Sequence, residues 1–353
     1  MMDRFYNLAQ NLEGHTLGDW YVCKKYDHKS STGGFFSIGY EVKNTKSGNK
    51  AFLKALDYSS AFNSPNFADI LNSMTAAYIF ERDLLNKCRD KHLKYVIRIL
   101  DCGDYSITKE QYPDRMVIYP NINYIVLEMA DNSMRNMIEL SSTIDYSWIL
   151  RSLHNTAVAI NEMHTNLIAH QDIKPSNVLF FNQNNLSKLG DVGRSSVMGT
   201  HVEHDDYIFA GDYSYAPFEL LYGYQESDWK ARRFSCDMFM FGNLIMTYFN
   251  GISLTNAVIN RLPQDLKPNY WNDKYENILP LIEEKFSECL DLFNTSIDSK
   301  LRNEMISLIT QLCCPNPKRR GDLKNSGSQQ YSMVRYISKL DLLARKYEFK
   351  LKR

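Results

Sequence analysis

In the run His170-Gln171-Asp172-Ile173-Lys174-Pro175-Ser176-Asn177, polar side chains stand at offsets that suit one kind of chemistry. Asp172 is a carboxylate that can act as a base. Lys174 is a cation that can clamp a phosphate, and Asn177 can serve as a metal ligand. An apolar stretch follows, Val178-Leu179-Phe180-Phe181, then the turn-rich Asn182-Gln183-Asn184-Asn185, then Leu186-Ser187-Lys188-Leu189. This reads as a hairpin, and it delivers Asp191-Val192-Gly193 back beside the loop.

Such side chains work only if rigid elements position them. The first dozen residues read as a short helix leading into a strand at Trp20-Tyr21-Val22-Cys23. A second strand spans roughly 36–43, and a third, Lys50 to Lys54, follows the turn residues Asn44, Ser47, Gly48 and Asn49. The turn between the first two strands, Thr32-Gly33-Gly34-Phe35-Phe36-Ser37, holds a Gly-Gly pair. Such a pair suits an ordinary hairpin turn, and it also lets backbone N–H groups approach phosphate oxygens closely. Ser64-Pro65 can start a helix as N-cap and N1, predicted to run to about Asp90. Phe67, Ile70, Leu71, Met74, Tyr78 and Leu85 recur on one face at steps of three and four residues. Glu81 lies on that same face. A carboxylate on an apolar stripe is costly unless paired, and Lys54 is the obvious partner. A strand is predicted at Tyr124-Ile125-Val126-Leu127-Glu128-Met129-Ala130, and a helix from Trp148 to Met163 feeds the Asp172 loop. Asp237 is a lone carboxylate in the nearly all-apolar helix around Met238-Phe239-Met240-Phe241. Residues beyond about 330 read as a helix whose basic end (Arg345, Lys346, Lys350, Lys352, Arg353, with Glu348 the one acid) is a solvated surface.

Together these segments resemble the protein kinases. The Asp172 run resembles the catalytic loop H-R-D-x-x-x-x-N with the extra lysine of the Ser/Thr branch, and Asp191-Val192-Gly193 resembles the metal-binding D-F-G, with Val192 for Phe. The glycine turn is a degenerate G-x-G-x-x-G, with Gly34 at the middle position and Thr32 and Ser37 at the outer two. Ala51-Phe52-Leu53-Lys54 is similar to V-A-I-K, and Lys54 with Glu81 to the ion pair between the third strand and its helix. The longer spacing between those two implies an insertion around residues 58–72. Gly211 to Glu219 resembles G-T-x-x-Y-x-A-P-E with Asp212 for Thr, Asp237 belongs to a D-x-W-x-x-G-like motif, and Asn316 to Arg320 resembles D-P-x-x-R. The motifs run in order from residue 32 to residue 320.

The resemblance implies an α+β, bilobal kinase fold with a β-rich N-lobe (about 19–128), a mainly helical C-lobe (about 132–325), and ATP between them. Residues 1–18 and 326–353 would be terminal extensions, the latter helical. It implies Asp172, Lys174, Lys54 and Glu81 as catalytic residues and Asn177 and Asp191 as Mg²⁺ ligands. ATP would meet Gly33, Gly34, Ala51, Lys54, Glu128, Ala130 and Leu179, with Leu127 as gatekeeper. Asp237 would hold the catalytic-loop backbone, and Arg320 would pair with Glu219. The implied partner is a protein phosphorylated on Ser or Thr, with self-association for autophosphorylation. Gln171 replaces an arginine that in many kinases awaits an activation-loop phosphate. The electrostatic reason for phosphorylating Ser195, Ser196 or Thr200 is therefore expected to be absent.

Bulk composition narrows the alternatives. The 353 residues are 44% apolar and 23% charged, ordinary for a globular protein. Lys+Arg 41 cancels Asp+Glu 41, against a nucleic-acid coat or an anionic-membrane binder. Seven dispersed cysteines without a C-x-x-C pair read as reduced thiols in a cytoplasmic protein. The start of the sequence lacks a basic-then-apolar signal, and no apolar run reaches about 18 residues. Two other functions compete. A pseudokinase scaffold is favoured by the degenerate glycine turn, Val192 and Asp212, although no base or metal ligand is missing. A small-molecule phosphotransferase is disfavoured by Lys174 and by the Glu219–Arg320 pair.

Overall fold

The computed structural model describes residues 5–26, 37–62, 64–107, 116–117, 121–140, 145–322 and 329–351. The chain divides into two compact units, residues 1–131 with 191–193, and residues 132–190 with 194–353.

The first unit is built on strands. After β1 (Phe5–Tyr6) come β2 (Thr16–Leu17), β3 (Trp20–Lys25), β4 (Ser37–Asn44) and β5 (Lys50–Leu56), then helices α1 (Ser59–Phe62) and α2 (Phe67–Asp90), then β6 (Ile99–Ser106), β7 (Met116–Val117) and β8 (Asn121–Glu128). A six-stranded antiparallel sheet has the order β2-β3-β4-β5-β8-β6, and β1 pairs with β7 in parallel. Alternation sorts β5: Ala51, Leu53 and Ala55 enter the core with Val22, Tyr40, Val42 and Val126, which leaves Lys54 on the opposite face. The meander thus matches the sequence expectation, while Thr32 to Phe36, with the glycine pair, lie outside the described residues.

Two local expectations are corrected. The first dozen residues form no α-helix among those described, only a three-residue 3₁₀ turn, Leu8–Gln10. Leu8, Ala9 and Leu12 mimic a helical stripe, yet they are buried against the sheet. The Asn7 and Gln10 side chains meanwhile donate to the buried Asp57 carboxylate at 2.9 and 2.8 Å, so a longer helix is not needed to satisfy them. Helix α2 starts at Phe67 after Asn66, not at Ser64-Pro65, because Ser64 Oγ accepts the Asn66 N–H and makes a turn of its own. Its apolar stripe is buried from Met74 onward, through Tyr78, Glu81, Leu84, Leu85 and Cys88.

The second unit is mostly helical. It opens with β9 (Asn132–Ser133), α3 (Met134–Leu140) and α4 (Tyr146–Thr165), then β10 (Ile168–Ala169), β11 (Val178–Phe181), β12 (Leu186–Leu189) and β13 (Ser196–Val197). Helices α5 (Phe218–Leu221), α6 (Trp229–Asn250), α7 (Leu254–Ile259), α8 (Tyr275–Asp291), α9 (Ser299–Leu312) and α10 (Val334–Leu351) complete it. Asp145 caps α4 by accepting from the Ser147 and Trp148 N–H groups. Helix α6 is buried from Arg233 to Phe249 and ends at Gly251, whose φ of 72° only glycine adopts without strain. Helix α10 packs Tyr336, Leu340, Leu343, Ala344 and Tyr347 inward. Arg151 of α4 reaches Asp341 and Glu348 of α10, each at 2.9 Å. The basic end of α10 is thus partly neutralised within the chain, with Arg345 on Asp341 at 2.9 Å and Lys350 on Asp298 at 3.3 Å.

Candidate active site

The loop that carries Asp172 is fixed from several directions. Before it, β10 pairs antiparallel with β13. After it, β11 and β12 form the expected hairpin, with Val178 opposite Leu189 and Phe181 opposite Leu186. The turn of that hairpin holds Asn182, Gln183 and Asn184 at positive φ, which suits the two asparagines. The Gly190 N–H donates to the Asn177 carbonyl at 2.8 Å and closes the base of the hairpin. Asp237, fully buried in α6, holds the loop backbone. Its Oδ2 accepts the His170 N–H and its Oδ1 the Gln171 N–H, each at 2.8 Å. The Asp172 N–H donates to His170 Nδ1 at 3.2 Å, which leaves Nε2 as the protonated nitrogen, and Nε2 donates to the Gly190 carbonyl at 3.0 Å.

Both oxygens of Asp172 are engaged, and its side chain is 7% exposed. Oδ1 accepts the Asp212 N–H at 2.9 Å. Oδ2 receives Lys174 Nζ at 2.9 Å and Asn177 Nδ2 at 3.0 Å. Asn177 Nδ2 also donates to the Asp172 carbonyl at 2.8 Å, while its Oδ1 accepts only a long bond, 3.5 Å, from Ser176 Oγ and has a lone pair left for a cation. Asp212 contributes through its backbone, so this contact survives the exchange of Thr for Asp. Its carboxylate caps Ser214 and lies 3.9 Å from Lys174 Nζ. At Gly211 an added Cβ would lie 2.3 Å from the Gln171 carbonyl, so only glycine fits there.

The first unit assembles the second set. Lys54 Nζ donates to both oxygens of Glu81, at 2.8 and 2.9 Å, and lies 3.6 Å from Asp191 Oδ1. Burial pulls the Lys54 ammonium down, but the charges of Glu81 and Asp191 more than reverse this and hold its pKa above the ordinary value. Glu81 is pushed upward by burial, against the pull of Lys54 and with the help of the Asp191 charge. Two carboxylates thus share one cation in a buried setting, and a divalent cation on Asp191 would balance them. Among the described residues no three His, Cys, Asp or Glu side chains converge as a metal site.

Of the other expected residues, Ala51 pairs with Glu128 across β5 and β8, and the Glu128 N–H is committed to the Arg98 carbonyl at 3.1 Å. Ala130 follows β8. Leu179 lies in β11 of the second unit, opposite Ser133 and Lys188. Gly33 and Gly34 lie outside the described residues. Arg320 grips Glu219 in two parallel bonds of 2.6 and 2.8 Å, both side chains buried. The sequence reading missed Arg233 and Asp205. Gln171 does have a cation beside it, because Arg233 Nη1 donates to Gln171 Oε1 at 3.2 Å while Arg233 Nη2 meets Asp205 Oδ1 at 2.8 Å. The neutral Gln171 thus stands beside a charge that α6 supplies and that Asp205 already meets. Arg233 stands one helical turn before Asp237, but beside Lys230 and Arg232 it reads as one of several basic residues at a helix start, so the sequence carries no signal that singles it out.

Lys54→Met and Glu81→Gln should each lower activity about tenfold or more, since the pair must be in place together. The double variant should fall short of the sum, with a coupling of about 0.5–3 kcal/mol. Asp83, paired with Arg82 on the exposed side of α2, is the control, and Asp83→Asn should be silent. Kinetics on the four proteins check this; strict additivity would contradict the pairing.

A strand-rich unit carrying a Lys–Glu–Asp set and a helical unit carrying an Asp–Lys–Asn loop define an α+β phosphotransferase architecture of the kinase class. The family model described as "Protein kinase domain" matches residues 28–332, and the chain belongs to that family. It is 31% identical over 136 residues to a Wee1-like protein kinase of Arabidopsis thaliana, covering 38% of this chain and 25% of that protein. It is 27% identical over 128 residues to the CTD kinase subunit alpha of Saccharomyces cerevisiae, covering 36% and 23% respectively. A probable serine/threonine-protein kinase of Clostridium acetobutylicum is 34% identical over 74 residues, covering 21% and 11%. The matches span a quarter or less of these relatives' lengths. No helix among the described residues is long and apolar enough to cross a membrane.

Proposed function

We propose that this protein kinase is ATP- and Mg²⁺-dependent and transfers the γ-phosphate to serine or threonine hydroxyls of proteins. The observation that carries the reading is Asp172, buried and bonded at once by Lys174, Asn177 and the Asp212 N–H. In this reading Asp172 orients the acceptor hydroxyl and takes its proton. Lys174 moves its charge from Asp172 to the γ-phosphate, and Lys54, steadied by Glu81, grips the α/β-phosphates. Asn177 and Asp191 are the residues that would hold Mg²⁺, and the ion would supply shielding of phosphate charge. Positioning and charge neutralisation are most of what this transfer demands. A cytoplasmic setting is part of the reading, since no disulfide joins the seven cysteines. The name of the clostridial relative supports the Ser/Thr branch, as does Lys174.

The test is incubation with labelled ATP and Mg²⁺, alone and with a lysate, followed by mass spectrometry and phosphoamino-acid analysis. Phosphoserine and phosphothreonine are expected. Label on phosphotyrosine would refute the acceptor class, and label on a metabolite would move the chain to the small-molecule enzymes. No turnover at all would favour a pseudokinase.

A further inference from the structure

Between Val197 and Gly211 the chain has little regular structure; Gln225 and Arg232 hold the Ile208 and Tyr207 carbonyls at 3.0 and 3.2 Å, Phe209 is buried, and the densest set of ties gathers on one acidic residue. Asp205 Oδ1 meets Arg233 Nη2 at 2.8 Å, with side chains 13% and 5% exposed. The Asp205 carbonyl accepts from Arg233 and Arg232 at 3.2 and 3.3 Å, and Asp205 Oδ2 accepts the Val202 N–H at 3.3 Å. Next to it, His204 Nε2 bonds the Ser195 carbonyl at 2.9 Å. On its other side Arg233 reaches Gln171. The Gln171 amide is held at both ends, its Nε2 donating to the Arg233 carbonyl and Asp237 Oδ1, each at 2.9 Å. Gln171 carries a left-handed φ of 63°, a backbone state that a non-glycine residue keeps only when its surroundings enforce it. The next residue is Asp172.

We infer that Asp205 and Arg233 are positioning residues for Asp172, and that the Asp205 carboxylate is a permanent counter-charge ordering this segment without phosphorylation. The inference rests on the kinase reading above. The geometry forms one chain of contacts: Asp205 to Arg233, Arg233 to Gln171, and Gln171 by peptide bond to Asp172. Arg233 is almost fully buried, and without Asp205 it would be an uncompensated charge. The segment therefore stays docked as long as the pair exists. The hydroxyls that would otherwise be phosphorylated are badly placed for it. Ser195 and Ser196 are 0% and 1% exposed, and Ser195 Oγ donates to the His170 carbonyl at 3.4 Å. Thr200 is exposed but lies five residues from Asp205.

The experiment compares wild type, Asp205→Asn, Asp205→Glu and Thr200→Ala. All are treated with phosphatase and shown by intact mass to carry no phosphate. Steady-state kinetics and hydrogen exchange over residues 194–212 are measured on each. Asp205→Asn should lower kcat about tenfold or more with little change in the KM for ATP, and should speed exchange in the segment. Asp205→Glu should restore most of both, and Thr200→Ala should match wild type. A merely structural role would move stability without this kcat–KM split or the glutamate rescue. If Asp205→Asn fails to fold, the double variant Asp205→Asn/Arg233→Met removes the buried charge and should still show the exchange and kcat changes. Wild-type kcat and protection in the Asn variants overturn the inference, as does a wild type that turns over only once Thr200 is phosphorylated. If wild type hydrolyses and transfers nothing in any state, the kinase reading fails, and the exchange data alone decide the tether.

Discussion

Asp172→Asn is expected to lower phosphoryl transfer about a thousandfold, within the range for loss of a positioned general base, while ATP binds almost as before. The asparagine keeps the shape, but its single carbonyl oxygen can accept either from Lys174 and Asn177 or from the Asp212 N–H, not from both sides, so the cost falls on the loop and not on the rest of the fold. What disappears is the charge that would take the hydroxyl proton. Asp191→Ala provides the contrast. Asp191 belongs to the set around Lys54, so its loss should abolish the Mg²⁺ dependence of ATP affinity as well as turnover. Nucleotide titrations with and without Mg²⁺ separate the two variants. Equal ATP affinities in both, or wild-type turnover in Asp172→Asn, would show the roles to be misassigned.

Arg320→Met should cost about 3–5 kcal/mol of unfolding free energy, because removing one partner of a buried ion pair strands the other charge. Arg320 is 0% exposed. Besides Glu219 it donates to the Cys314 carbonyl and Ser235 Oγ, and its guanidinium lies 4.9 Å from the centre of the Phe239 ring. Burial alone would lower its pKa, but the Glu219 charge more than reverses this and raises it, so the guanidinium stays charged. The double variant Arg320→Met/Glu219→Leu should recover much of the loss, since apolar replacement of a whole buried pair is often close to neutral. Denaturant melts of the three proteins decide it. A single variant within about 1 kcal/mol of wild type would show that the pair is not critical.

Glu81 was legible because a carboxylate on an apolar helical face must find a cation, and Lys54 stood at the end of a neighbouring strand. The hairpin after Asn177 was legible from an apolar run, an asparagine-rich turn and a second run. Arg233 and Asp205 were not, because an ion pair between an aperiodic segment and a helix leaves no spacing rule behind. The first dozen residues misled for a related reason. Leu8, Ala9 and Leu12 serve a sheet with the spacing of a helix, and only the distant Asp57 shows where Asn7 and Gln10 go. The paired charges on α10 were also beyond reach, since Arg151 lies 190 residues from Asp341 in sequence.

The packing of α10 on α4 also sets an order of events during synthesis. A ribosome delivers residues 146–177 well before residues 334–351, and chains fold as they emerge. Until the last helix is out, the side of α4 that it covers has only water for a neighbour. The loop that follows α4 keeps its own ties to Asp237 and β13, but the helix leading into it lacks one side of its packing. A chain stalled before residue 334 would therefore leave uncovered the side of α4 that carries Arg151, with the Arg151 guanidinium parted from Asp341 and Glu348.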